Sequence, residues 1–270
     1  MTVVERLRAA GCVFAEDEAR LLVEGAASPA ELDAMVDRRV AGIPLEHILG
    51  WAQFCGSRVA VDAGVFVPRR RTELLVHEAV ALAGGRAVVV DLCCGSGAVG
   101  AALAARIDRI ELYAVDIDQV AVRCAGRNLA ASGGRVFAGD LYDPLPGSLH
   151  GRVDLVVANS PYVPTDALAT MPPEARLHEP REALDGGSDG LDLHRRIADG
   201  APQWLRRGGH LLIETSRPQA ARTLEAFTRA GLTAHVVRSD ELDGTAVVGT
   251  WTGAEAGVRE GDQAGSGDRS

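Results

Sequence analysis

The sequence contains no lysine, so all 28 of its basic residues are arginine. Beside the abundance of alanine and glycine, this reads as a coding bias with no functional meaning. Positive charge is also in deficit: 28 basic against 37 acidic residues give a formal net charge of −9 and a pI of about 5.3. Proteins that hold a phosphate backbone draw much of their affinity from a basic face that releases counterions, so this balance counts against a nucleic-acid partner. The five cysteines (Cys12, Cys55, Cys93, Cys94 and Cys124) are odd in number and lack the paired spacing of metal ligands. No apolar run is long enough to span a bilayer. The amino-terminal segment is charged and amphipathic, unlike a secretory leader. The expectation is a cytoplasmic protein with reduced thiols, no metal and no membrane.

What is present is apolar enough to fold around a core. Hydrophobic residues make up 47% of 270, and mean hydropathy is +0.05. That length accommodates one sizeable α/β domain and a small accessory one. Apolar positions spaced by three and four predict short amphipathic helices from Val3 to Val40, with Ser28-Pro29 starting one of them. From Gly42 to Pro68 the pattern alternates through Phe54, Val59, Val61 and Val65, which predicts a β-hairpin. Thr72 to Ala83 reads as helix. Thereafter apolar strands alternate with helices, as in a parallel sheet. Strands are expected at Ala87–Leu92, Ile110–Val115, around Val136, at Val153–Ala158, His210–Ile213, His235–Arg238 and Ala246–Trp251. Helices are expected at Ala98–Ala105, Val120–Ala131, Leu191–Ala201 and Pro218–Ala230. The resulting division is a helical domain over 1–41, a hairpin linker over 42–75, an α/β domain over 76–252 and a disordered tail over 253–270.

In an open parallel sheet, ligands bind beyond the carboxyl ends of the strands. The unusual residues of this chain sit there. Asp91-Leu92-Cys93-Cys94-Gly95-Ser96-Gly97 is a glycine-rich strand-to-helix turn in which Gly95 and Gly97 allow a tight, close backbone. It has neither the G-x-G-x-x-G of a dehydrogenase nor the Gly-Lys-Ser/Thr of a triphosphate loop. Asp116 ends the next strand, where a carboxylate can accept from two vicinal hydroxyls. Asp118 reads as a helix N-cap. Asp140 follows the third strand and can accept from an exocyclic amine, with Leu141 against the same ring. Each acid alone reads as a solvated loop residue; three in strand-end order read as one ligand edge.

The fourth strand ends in Asn159-Ser160-Pro161-Tyr162. An amide nitrogen is a poor nucleophile because its lone pair is delocalised into the carbonyl. Two acceptors against its N–H bonds, the Asn159 side-chain oxygen and the Ser160 backbone carbonyl, can hold it while it pyramidalises. Pro161 fixes the backbone and Tyr162 offers a face to a planar group.

The glycine-rich turn resembles the D-x-G-x-G-x-G loop of class I S-adenosylmethionine-dependent methyltransferases, with Cys93 where a glycine is common. A thiol there requires a backbone that avoids glycine-only dihedrals. The Asn-Ser-Pro-Tyr segment resembles the Asn-Pro-Pro-Tyr of amino-methyltransferases, with Ser160 in place of the first proline. Gly42-Ile43-Pro44-Leu45-Glu46-His47-Ile48-Leu49-Gly50, Val67-Pro68-Arg69-Arg70-Arg71-Thr72-Glu73 and His178-Glu179-Pro180-Arg181-Glu182-Ala183-Leu184 are similar to segments of the release-factor glutamine methyltransferases. So is Gly186-Gly187-Ser188-Asp189-Gly190-Leu191. That family has Pro-Arg-Pro-Glu-Thr-Glu where this chain has Pro-Arg-Arg-Arg-Thr-Glu, and a tyrosine where it has His178. Its Glu-x-Gly appears here as Glu214-Thr215-Ser216, with Gln219 retained.

The resemblance implies a Rossmann-like, mostly parallel seven-stranded sheet with a small helical amino-terminal domain. It implies S-adenosylmethionine held by Asp91, Cys93, Cys94, Gly95, Ser96, Gly97, Asp116, Asp140, Leu141 and Asn159. It implies a glutamine amide, in the Gly-Gly-Gln loop of a release factor, held by Asn159 to Tyr162 with Arg69 and Glu179. Glu179 is expected to hold the loop over the Asn159 site through backbone N–H groups. Two other readings stay open: methylation of an extruded adenine or guanine, with Arg69 to Arg71 as a basic patch, and a cofactor-binding protein without turnover.

Overall fold

The computed structural model describes residues 1–253, so the expected tail falls, from residue 254 on, outside the described residues. Three helices come first: α1 (Val3–Ala9), α2 (Ala15–Gly25) and α3 (Pro29–Val40). Thr2 and Glu5 close a reciprocal capping box on α1, satisfying backbone donors that a helix start leaves open. Ser28 accepts from the Glu31 N–H and Pro29 occupies the first turn of α3, as its Ser-Pro pair predicts. Leu7 and Leu22, both 0% exposed, join Ala15, Met35 and Val36 in a small core of their own. Each buried leucine contributes about 2 kcal/mol.

The predicted hairpin is present but shorter than its alternating stretch. Helix α4 (Leu45–Leu49) comes first, because Leu45, Ile48 and Leu49 share a face that packs onto the helical core. The hairpin itself is β1 (Trp51–Phe54) paired antiparallel with β2 (Ser57–Ala60). A 3₁₀ turn at Arg70–Thr72, not anticipated, leads into α5 (Glu73–Ala83).

The α/β alternation then runs as read. It comprises β3 (Arg86–Leu92), α6 (Ala98–Ala104), β4 (Arg109–Asp116), α7 (Gln119–Leu129), β5 (Arg135–Ala138) and β6 (Val153–Ala158). Asp118 caps α7, accepting from the Val120 N–H at 2.8 Å. After β6 come a 3₁₀ turn at Thr165–Thr170 and α8 (Pro173–His178). Neither shows the apolar periodicity that marks a helix in sequence. The chain finishes with α9 (Asp192–Trp204), β7 (Leu205–Glu214), α10 (Ala220–Arg229), β8 (Leu232–Ser239) and β9 (Gly244–Trp251). Strand β7 is longer than the expected His210–Ile213 because Arg206 to Gly209, polar in sequence, continue it with a register shift against β6.

The seven strands order β5-β4-β3-β6-β7-β9-β8, parallel except where β9 runs against β7 and β8. Two apolar layers cover the sheet. One packs α5, α6 and α7 through Leu75, Leu103 and Leu129; the other packs α9 and α10 through Ile197 and Phe227. The chain winds outward in opposite directions from β3 and β6, so a crevice opens beyond their carboxyl ends.

Candidate active site

Register fixes what meets at that crevice. Leu92 of β3 pairs with Ala158 of β6 on one side and with Val115 of β4 on the other, and Asp116 pairs with Ala138 of β5. The turn at Cys93, the Asn159 loop, Asp116 and the Asp140 turn are therefore brought side by side. They line a cavity of about 1010 Å³, large for a small-molecule site.

The glycine-rich turn is pinned from beneath. The Cys94 N–H donates to the Val115 carbonyl at 3.0 Å, and the Gly95 N–H to Asp116 Oδ2 at 2.8 Å. Asp116 Oδ1 accepts the Asp118 N–H at 2.9 Å, so each of its oxygens keeps one lone pair. Burial raises the Asp116 carboxyl above its ordinary value. Asp91 is 2% exposed and accepts from the Gly100 N–H at 2.9 Å, bracing the start of α6. Burial, with Asp116 nearby, pushes its carboxyl up to about 7. Cys93 lies at φ +54°, in the left-handed region that favours glycine and costs another residue about 1 kcal/mol. The turn holds a thiol at positive φ, in a region that other residues reach at a modest cost and not one open to glycine alone. Gly97, alone among the residues of this turn singled out from sequence, does not line the cavity. It sits at φ +75°, where a Cβ would come within 3.1 Å of Ala125 Cβ, so its role is packing against α7.

Asp140 and Leu141 line the cavity further along the same edge. Asp140 Oδ2 accepts from Arg196 Nη2 at 2.7 Å, and Leu141 sits at φ +49°. Arg196, on α9, carries no motif in sequence and was not anticipated. Ile117, 64% exposed beside Asp116, is a further lining residue.

At the other end, Asn159 Nδ2 donates to Thr72 Oγ1 at 3.1 Å. Thr72 is 2% exposed, placed by the 3₁₀ turn before α5. Ser160, at 1% exposure, has a hydroxyl with no partner. The Tyr162 hydroxyl donates to Glu214 Oε1 at 3.2 Å, and Arg71 Nε donates to the same oxygen at 3.2 Å. Burial and the Glu214 charge push the Tyr162 phenol up to about 12, which keeps it a donor. The Tyr162 carbonyl accepts from Gln219 Nε2 at 2.9 Å. Thr72, Arg71 and Glu214 lie within segments quoted for their family resemblance, but no pattern in sequence gave them these contacts.

Arg69 and Glu179 meet in a salt bridge, with Glu179 buried and Arg69 Cζ over the Phe66 ring at 5.1 Å. Glu179 Oε1 also accepts from the Val67 N–H at 3.3 Å. Burial raises the Glu179 carboxyl, against the opposing pull of Arg69. The Gly186–Gly190 loop packs onto the Asn159 loop: a Cβ on Gly190 would lie 2.2 Å from the Tyr162 carbonyl oxygen. His194 is fully buried, with Nδ1 on Thr223 Oγ1 at 3.0 Å and a tilted contact to the Tyr162 ring. Burial lowers it to about 4, so it is neutral. Among the described residues, no group of three or more His, Cys, Asp or Glu side chains is placed to hold a metal ion. No helix among them is long and apolar enough to cross a membrane.

Comparison with known proteins agrees with this geometry. Residues 57–189 match the family model of the methyltransferase small domain. A crystal structure of a methyltransferase from Pyrococcus furiosus superimposes with a TM-score of 0.53 at 14% identity, covering 72% of this chain and 89% of that one. That likeness concerns the fold, a class I methyltransferase fold. A 4-amino-L-phenylalanine/4-methylamino-L-phenylalanine methyltransferase of Streptomyces pristinaespiralis is 38% identical, over 74% of this chain and 70% of that protein. The release factor glutamine methyltransferase of Geobacter sulfurreducens is 42% identical, over 76% of this chain and 72% of that protein. With its strand order, its Asn-Ser-Pro-Tyr loop and relatives at this level of identity, the chain is a methyltransferase of the release factor glutamine methyltransferase family.

Proposed function

We propose that this enzyme moves a methyl group from S-adenosylmethionine to the side-chain amide nitrogen of a protein glutamine, in the Gly-Gly-Gln loop of a peptide-chain release factor. The observation that carries the reading is the Asn159–Thr72 hydrogen bond. It commits the amide end of Asn159 and leaves its oxygen as an acceptor beside the Ser160 carbonyl.

The residues present fit the donor molecule. One cavity is lined by residues from Asp140 to Tyr162, and its acids stand in strand-end order. In this reading Cys93 to Ser96 take the amino-acid end, the open lone pairs of Asp116 take the ribose hydroxyls, and Asp140 with Leu141 takes the adenine. Asp91 and Gly97 shape the turn. S-adenosylmethionine supplies a sulfonium-bound methyl group.

The remaining work belongs to this chain. Asn159 Oδ1 and the Ser160 carbonyl accept the two N–H bonds of the target nitrogen, turning its lone pair toward the methyl group. Tyr162, held by Glu214 and Gln219, lies against the planar amide. The nitrogen gains the methyl group as the donor's S–C bond breaks and leaves a neutral thioether; it takes on the positive charge and sheds it as one N–H proton to water. That proton is strongly acidic, so no strong base is required and orientation with electrostatics carries the rate. Arg69 and Glu179 close the loop over the acceptor end. Residues 1–41 would contact the protein substrate, with the hairpin segment 42–75 joining them to the α/β domain at 76–252.

The test is methylation of purified, unmethylated release factor, read by mass spectrometry of the Gly-Gly-Gln peptide. Product on adenine or guanine instead, with binding that weakens steeply as salt rises, would replace this reading with a nucleic-acid one.

A further inference from the structure

We propose that the Ser160 hydroxyl is a specificity-determining contact that donates a hydrogen bond to the carbonyl oxygen of the acceptor amide. The inference rests on the glutamine reading above and adds to it a contact that a proline at this position cannot make.

Buried polar atoms are paired in folded proteins, and an exception asks for an explanation. Four side-chain atoms among the described residues are buried without a partner: Ser160 Oγ, Glu179 Oε2, His194 Nε2 and Glu214 Oε2. The last three belong to side chains whose other polar atom is bonded, to Val67 and Arg69, to Thr223, and to Arg71 and Tyr162. Ser160 has one polar side-chain atom, and it has nothing. His194 and Glu214 do not line the cavity; Ser160 does. An unpaired buried hydroxyl costs about 1–3 kcal/mol. The related Asn-Pro-Pro-Tyr loop avoids that cost by carrying proline. A partner that enters the cavity with the substrate removes it.

The chemistry of the loop selects which substrate atom that is. Asn159 Oδ1 and the Ser160 carbonyl are acceptors, so they take the two N–H bonds of the amide nitrogen. The amide oxygen then needs a donor. Asn159 Nδ2 is engaged with Thr72 and the Tyr162 hydroxyl with Glu214, while Pro161 has no N–H. Of the side-chain donors between Asn159 and Tyr162, the Ser160 hydroxyl is the one without a partner. The hydroxyl has no accessible surface where it now lies, so this contact requires χ1 to turn it from that position toward the bound amide.

The kinetic consequence is specific. A donor on the carbonyl oxygen favours the resonance form in which the nitrogen lone pair is delocalised. That form is the ground state and fades as nitrogen takes the methyl group. The contact therefore strengthens binding and does not accelerate the chemical step.

The experiment measures kcat and KM for a Gly-Gly-Gln peptide and for S-adenosylmethionine, with thermal melting, in wild type, Ser160→Ala and Ser160→Pro. The expected result is a peptide KM raised about tenfold in both variants, the loss of one hydrogen bond. The peptide kcat holds or rises, the KM for S-adenosylmethionine holds, and Ser160→Ala melts no lower than wild type. Peptide KM within twofold of wild type overturns the contact. A loss confined to kcat, or to the KM for S-adenosylmethionine, assigns the hydroxyl elsewhere and overturns it too. A wild-type enzyme that binds S-adenosylmethionine but leaves the peptide unmethylated contradicts the glutamine reading itself, and the Ser160 contact with it.

Discussion

Asn159 Nδ2 donates to Thr72 Oγ1 across 3.1 Å, between residues 87 apart in sequence. A primary amide presents a donor at one end and an acceptor at the other, so engaging one end fixes the other. Removing the hydroxyl in Thr72→Val frees the Asn159 amide to rotate. The expected effect is a kcat about tenfold lower, the scale of one lost orienting hydrogen bond. Isothermal titration should show binding of S-adenosylmethionine nearly unchanged. Equal kcat in the variant would mean that Thr72 does not set the orientation of Asn159.

Arg71 and Tyr162 share Glu214, a carboxylate only 2% exposed. Arg71→Ala leaves that charge without its counterion. The expected loss is about 2 kcal/mol, less than for a fully buried pair because solvent reaches the arginine. Adding Glu214→Gln removes the stranded charge, so the double variant should melt higher than Arg71→Ala alone. Thermal melting of the four proteins in the cycle checks this, and additive losses would show that the pair is not coupled.

How much of this was legible in sequence depends on whether a residue's role is local. The strands ending at Leu92, Asp116 and Ala158, the Ser28 and Asp118 caps and the meeting of Cys93, Asp116, Asp140 and Asn159 at one cavity were readable because periodicity and turn chemistry act over a few residues. Thr72, Glu214 and Arg196 were not, because their contacts span 87, 52 and 56 residues and only the folded sheet brings the partners together. Helix α8 escaped for another reason: its six residues offer one buried position, Ala175, too few for a period. The positive φ of Cys93 was not legible either, because nothing local to a cysteine marks it and the turn around it sets the backbone.

Gly190 and Gly133 separate backbone strain from crowding. Both hold positive φ, +76° and +70°, but a Cβ on Gly190 meets the Tyr162 carbonyl oxygen at 2.2 Å, while on Gly133 it meets nothing within 4 Å. Gly133→Ala should cost about 1 kcal/mol and leave methyl transfer intact. Gly190→Ala should cost about 2 kcal/mol more and lower kcat by displacing Tyr162. Matching melting temperatures and activities in the two variants would contradict this packing.

Asp91 gives a pH signature. Its carboxyl is raised from 3.8 to about 7 by burial, so the folded state holds a proton that the unfolded chain has released. The stability this contributes is complete below pH 3.8 and is lost as pH rises through about 7. Asp91→Asn keeps an oxygen for the Gly100 N–H and removes the titration. The difference in melting temperature between variant and wild type should therefore shift in favour of the variant from pH 4.5 to about 7.5. A difference independent of pH would show that Asp91 ionises normally.

The central claim is that the Asn159 loop presents a glutamine amide for methylation. It is tested most directly by incubating wild type and Asn159→Ala with labelled S-adenosylmethionine and unmethylated release factor. The mass of the Gly-Gly-Gln peptide is then measured. The account predicts one methyl group on that glutamine with wild type and none with Asn159→Ala, although the variant still binds S-adenosylmethionine. Methylation by Asn159→Ala at a rate near wild type would contradict it.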